Sequence, residues 1–404
     1  MEWMPADRTV RLTAAEGKQV NIEAPGQHVE AETVLFDQDT NAIKCPSAGA
    51  MEVDGSGETE ESGRRVSITW REKMELTRGS KPVASFSGDV KARTGDREIT
   101  GQKLDVRFDE AMNPVTISAS GDAKLTSSES SESEKESDTG QAADISGGSM
   151  GLPSVGTSGS TWILSCAEFT INPVERTLYS GSAGEIVIGG KEKAENSIRW
   201  TERMKYSGDE SSAEFVGGVR ARVSGTRVES EQLTTDFSDS GELRYIRGKG
   251  RVTFSGTGQK PWEIQCDSAE AIFDGRSELR ETIARGEVRV VDSRGQLESE
   301  LLHLYFKPGE ADQKPTLQRG VAKRDVYVHH KVSPVFEAYG DELKWNYDDD
   351  VYVLTGEPFA RVLRENTKAK YPKLIIDRGS GEVKAPKGNR PSEIEIIPGQ
   401  SQSP

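Results

Sequence analysis

A glycine recurs along this chain at the head of short apolar–polar runs, and its spacing constrains the fold more than any other feature. It stands at Gly49, Gly88, Gly121, Gly184, Gly218, Gly250, Gly286, Gly320 and Gly356. Successive intervals run from 32 to 39 residues, with a single gap of 63. A fixed period of this size marks a stacked repeat, in which each unit buries its apolar face only against its neighbours. Glycine inside a strand pattern marks a bend or a close backbone approach. A ribbon bent at every such glycine would fold along one crease.

Upstream of most of these glycines lies a second run that alternates apolar and polar residues and ends in a turn. Examples are Ala31 to Asp37, Leu104 to Asp109, Ala269 to Asp274 and Leu302 to Phe306. Period two is the signature of a half-buried strand. The turns that follow, such as Asp37-Gln38-Asp39 and Asp274-Gly275, favour hairpins. No long amphipathic helix is legible. The expected fold is therefore all-β: an elongated repeat of antiparallel strands folded over into two facing sheets. Its inward-facing candidates are Phe36, Trp70, Met74, Phe86, Phe108, Trp200, Met204, Phe215, Phe237, Phe254, Phe273, Phe306 and Trp345.

A larger duplication overlies the small period. Ile68, Trp70, Glu72 and Met74 match Ile198, Trp200, Glu202 and Met204 at an offset of 130, and Ser47-Ala48-Gly49 matches Ser182-Ala183-Gly184. The expected organisation is a first repeat block over 28–128, a disordered Ser/Glu/Gly-rich linker over 129–160, a second, longer block over 165–388 and a flexible tail over 389–404. Low hydrophobicity and like charge in the linker cannot offset the entropy of ordering it.

The unit "Ala-Glu-x-apolar-x-apolar-Asp, polar turn, Gly-Glu/Asp-Val" resembles the OstA-like repeat of lipopolysaccharide-transport proteins. The closest copies are Ala269-Glu270 through Gly286-Glu287-Val288, and Ala167-Glu168 through Gly184-Glu185-Ile186. The resemblance implies that the two facing sheets form an open, twisted, jelly-roll-like trough whose apolar groove takes acyl chains, with the inward residues named above as its lining. It also implies a lipid such as lipopolysaccharide as ligand, sheet edges that join other OstA-like proteins, and a place in the periplasm or cell envelope. Two features depart from the family: bridge proteins in it are shorter, and Met1-Glu2-Trp3-Met4-Pro5 shows no signal-peptide pattern.

Other function classes find little material. The formal charge of −15 lacks the basic footprint of a nucleic-acid binder. Three distant cysteines and four histidines make neither a disulfide framework nor a zinc site, so neither metal nor cofactor is expected. Gly147-Gly148-Ser149-Met150-Gly151 has the letters of a hydrolase elbow without the strand and helix that elbow needs. Asp348-Asp349-Asp350 lacks calcium-loop spacing and reads as a solvated turn. Arg71, Arg199 and Lys344 suit either phosphate contact or an ordinary polar face. No catalytic residue stands out, and a non-enzymatic role is expected. Two readings remain: a lipid carrier with an open groove, or a structural or adhesive β-solenoid with a closed core. A polysaccharide-active β-helix enzyme would cluster Asp and Arg at one level, and no such cluster is found.

Overall fold

The computed structural model describes residues 1–4, 8–24, 27–53, 65–110, 112–127, 161–188, 196–223, 226–238, 243–256, 262–274, 278–307, 316–333, 335–346, 351–364, 367–377, 380, 382–386 and 393–396. The linker 129–160, the Gly147–Gly151 motif and Asp348–Asp350 lie outside the described residues. The described residues are all-β, without a helix, and every described pairing between strands is antiparallel. The chain divides into two compact units, Met1–Val216 with Asp239–Gly241, and Gly217–Ser238 with Glu242–Pro404.

In the first unit the early strands come as short pairs that separate at the bend. Ala42–Cys45 pairs with Lys73–Thr77, while Gly49–Val53 pairs with Val66–Trp70. Both short pairs then meet one long strand, Val83–Thr94, at its two halves. Arg71 N and Glu72 N donate to the carbonyls of Gly88 and Ser87, which ties the crossing to the bend of the long strand. The two halves fold towards each other, and side chains from each meet between them. The Trp70 and Phe86 rings lie 5.4 Å apart, from opposite sides of the crease.

The second unit is a plain meander. Thr226–Phe237, Leu243–Gly256, Trp262–Phe273, Leu279–Asp292 and Gly295–Lys307 pair successively, followed by Thr316–His330, Phe336–Asn346, Val351–Arg364 and Thr367–Asp377. Each pairing slips register near its middle, for example between Lys249 and Val252 and between Arg285 and Val288. Stacked bulges of this kind bend every strand at the same level. Within the segment expected as a flexible tail, Glu393–Ile396 pairs with Thr367–Lys370. A bare edge offers unpaired backbone donors and acceptors, so a strand laid along it satisfies them.

Eight of the nine recurring glycines divide into two groups with different physics, and Gly356 stands apart against the backbone of Phe359. Gly88, Gly121, Gly218, Gly250 and Gly286 all have positive φ, and the pairings slip register at Gly88, Gly121, Gly250 and Gly286. At Gly286 φ is +76°, the next residue, Glu287, has φ +42°, and the missing Cβ leaves room for the Asp267 carboxylate. Gly49, Gly184 and Gly320 are not creases. Each stands opposite a tryptophan on the neighbouring strand (Trp70, Trp200, Trp345), whose indole covers the bare Cα. The bend expected at Gly320 lies instead at Arg324-Asp325, where a non-glycine pair holds φ of +64° and +49°. One period thus encodes two needs, a turn in the backbone and a flat place for a large ring.

Candidate functional site

The space between the folded halves is the candidate site, because period-two alternation sends one apolar face of every strand into it. In the first unit this space is filled. Trp70, Met74, Phe86, Trp200, Met204 and Phe215 are all at most 2% exposed. Cross-strand register stacks them: Met74 opposite Phe86, Phe86 opposite Leu104, Leu104 opposite Ala119, and Ala119 opposite Phe169. The duplicated copy repeats the geometry. Trp200 and Phe215 lie 5.4 Å apart at 48°, against 5.4 Å and 49° for Trp70 and Phe86. Trp200 Nε1 donates to the Ser182 carbonyl at 2.8 Å, and Trp70 Nε1 to that of Ser47 at 2.9 Å. These indoles satisfy a carbonyl at the bend while covering a glycine, so their burial costs no hydrogen bond.

The second unit differs at its strand ends. Phe237, Phe273 and Phe306 are the last inward-facing residues before three hairpin turns, and all three are half-buried. They lie on alternate strands, which places neighbours about 10 Å apart along the sheet. Each follows a register slip and faces a leucine across its hairpin: Leu243, Leu279 and Leu317. Phe36 and Phe108 hold the same place before turns in the first unit, Phe36 half-buried and Phe108 8% exposed. Deeper in, Gly248, Ala269 and Ala284 are consecutive cross-strand partners and all buried, so the interior is lined there by the smallest side chains. Phe254 and Trp345 are also buried.

Alternation alone did not single out Trp162, Phe169 and Phe336, which are as buried as the expected lining. The signal for Phe169 was present, since it follows Ala167-Glu168 in one of the best repeat copies. The leucines facing the rim phenylalanines carry no signal of their own, because only the register places them.

Several polar groups of the second unit's outer face are paired. Arg247 pairs with Asp236 and Glu270, and His303 Nε2 lies 2.7 Å from Glu281. The three candidate phosphate contacts all hold carboxylates: Arg71 with Asp89 at 2.9 Å, Arg199 with Glu185 at 2.7 Å, and Lys344 with Glu342 at 2.7 Å.

The cysteines belong to the interior. Burial pushes the Cys45 thiol up to about 12 and that of Cys266 to about 11, and burial also raises Cys166. Only the thiolate reacts readily, so native protein near neutral pH is expected to resist maleimide labelling and to label fully in denaturant. A folded-state value above the unfolded one means that the unfolded chain loses the proton first. Stability is therefore expected to fall as pH rises from the ordinary thiol value of 9.0 towards about 12. Rapid native labelling of Cys45 would show that the interior opens there.

Residues 72–146 match the family model described as LptA/(LptD N-terminal domain) LPS transport protein. Among solved structures, the chain is similar to the crystal structure of LptH, the LptA-homologous periplasmic component of the lipopolysaccharide transport device from Pseudomonas aeruginosa. That match has 20% identity and a TM-score of 0.28, and covers 34% of this chain and 96% of LptH. None of the curated proteins compared with the chain matches it.

Proposed function

We propose that this chain, which carries the lipopolysaccharide-transport match over residues 72–146, acts in lipopolysaccharide transport as a carrier that shelters acyl chains between its folded half-sheets. The observation that carries the reading is the row Phe237, Phe273 and Phe306, half-buried at alternate hairpin ends of the second unit, with the small buried residues Gly248, Ala269 and Ala284 further in. Such a wall is dry and tolerant of shape, and each methylene moved into it from water is worth about 0.8 kcal/mol. No chemistry is needed, so the role is transport without catalysis. The family of the match supports the periplasm or cell envelope as its place.

Partners would join at sheet edges by strand addition. Val20–Ala24 suits this, since among the described residues it pairs on one side only, with Gln27–Ala31.

A second reading, a closed structural or adhesive solenoid, takes its support from the packed interior of the first unit. A photocrosslinking residue placed at Phe273 or Phe306 separates the two. Incubated with lipopolysaccharide, both sites are expected to form lipid adducts, and a residue at buried Trp200 far fewer. Absence of adducts at Phe273 and Phe306, with no displacement of a bound fluorescent fatty acid by lipopolysaccharide, would favour the solenoid.

A further inference from the structure

The outer face of the second unit carries a cleft where the repeat breaks its own rules. It is open, about 740 Å³, and lies against the crease of the last long strands. Three departures meet there. Arg324 and Asp325 hold the left-handed bend that glycine opens in other strands. The next bulge is enlarged, so that Gly356 to Phe359 project between Thr355 and Ala360 where the partner strand passes from Lys373 to Tyr371. Phe359 stands on that bulge 38% exposed. Strained non-glycine bends and enlarged bulges are kept where a local shape is used.

The cleft is lined by an aromatic pair and by polar groups of both signs. One cross-strand row runs Glu298, Tyr327, Tyr339, Arg361 and Lys370, all on the outer face. The Tyr327 and Tyr339 rings lie 5.0 Å apart, and the Arg361 guanidinium stands 5.4 Å from the centroid of Tyr339. Tyr339 donates its hydroxyl to Glu337 at 2.8 Å, and burial with that contact pushes its value up to about 12, so it stays a phenol. Asp341 accepts the amide of Glu357, fixing the bulge against the floor.

We propose that this cleft is a binding site for an uncharged oligosaccharide. Its volume falls in the range of small-ligand sites, about 300–1,000 Å³. The exposed Phe359 ring takes the C–H face of a pyranose ring and the packed Tyr327–Tyr339 pair borders it, while carboxylates accept from sugar hydroxyls and Arg361 donates to ring and hydroxyl oxygens. Four carboxylates against two cations line the cleft, which disfavours a phosphorylated sugar. The site is separate from the inner mouth and stands whether or not the groove carries acyl chains.

The test is titration calorimetry of the full chain with oligosaccharides of the chitin, cellulose and maltose series. At least one series is expected to bind saturably, and Phe359→Ala and Tyr339→Ala each to weaken it about tenfold, equivalent to ~1.4 kcal/mol. Phe359 is exposed, so that variant keeps the fold, and circular dichroism checks Tyr339→Ala. Lack of binding by all three series overturns the proposal, as does binding that both variants leave unchanged. Binding of a phosphate-bearing oligosaccharide alone would overturn the uncharged assignment. Capture of a protein loop there, lost in Phe359→Ala and without sugar binding, would assign the cleft to a protein partner instead.

Discussion

Replacing Trp200 with alanine is expected to destabilise the first unit by about 3–5 kcal/mol, the range for removing a fully packed aromatic side chain. Three contacts go at once: the packing on Phe215, the hydrogen bond to the Ser182 carbonyl, and the cover over Gly184. Trp200→Phe keeps most of the area and loses mainly the hydrogen bond, so its expected cost is about 1–2 kcal/mol. The same change at Trp70 should cost as much as at Trp200, because the duplicated contacts match in distance and angle. A chain of two units does not guarantee a single transition. The measurement is therefore native-state hydrogen exchange, read separately on Gly184–Ile188, Asn196–Trp200 and the strands of the second unit. Protection lost around Gly184 and retained beyond Leu243 is the expected pattern. A loss under about 1 kcal/mol would mean that the indole is not packed as described.

The second large effect is expected at a crease. Gly286→Val asks a β-branched residue to hold φ of +76° and pushes its side chain into the Asp267 carboxylate. The left-handed conformation alone costs about 1–2 kcal/mol for an ordinary residue, and branching and the collision raise the total to about 3 kcal/mol. The loss should appear as faster exchange in Leu279–Asp292 and Gly295–Lys307, the strands whose register slips beside Gly286. Asp267→Ala relieves the collision and should restore part of the stability in the double variant, leaving the conformational cost. A silent Gly286→Val would mean that the bend does not need its left-handed residue. Arg324 shows that the conformation is open to a side chain when the surroundings allow, with Glu300 3.5 Å from its guanidinium.

Much of this architecture is readable in the order of residues, for physical reasons. Alternation is local, so strands such as Leu104 to Phe108 announce themselves, and a repeating glycine announces a repeated constraint. The nature of that constraint is not local. Gly88 and Gly184 look alike along the chain, yet one turns the backbone and the other makes room for Trp200, and only cross-strand register separates them. The same holds for the rim. Phe86 and Phe273 share a pattern, but the first is sealed by Trp70 and Met74 while the second ends a strand at a turn. The outer cleft was invisible for a related reason: it arises where the last repeats depart from the rule that made the others recognisable.

The uninterrupted run of neighbour-to-neighbour pairings from Thr226 to Asp377 has a further consequence. Contacts between adjacent hairpins close only short loops, so assembly can start at many places and spread like a zip. An added or deleted hairpin alters reach without redesigning what remains, which makes length itself a property that duplication can adjust.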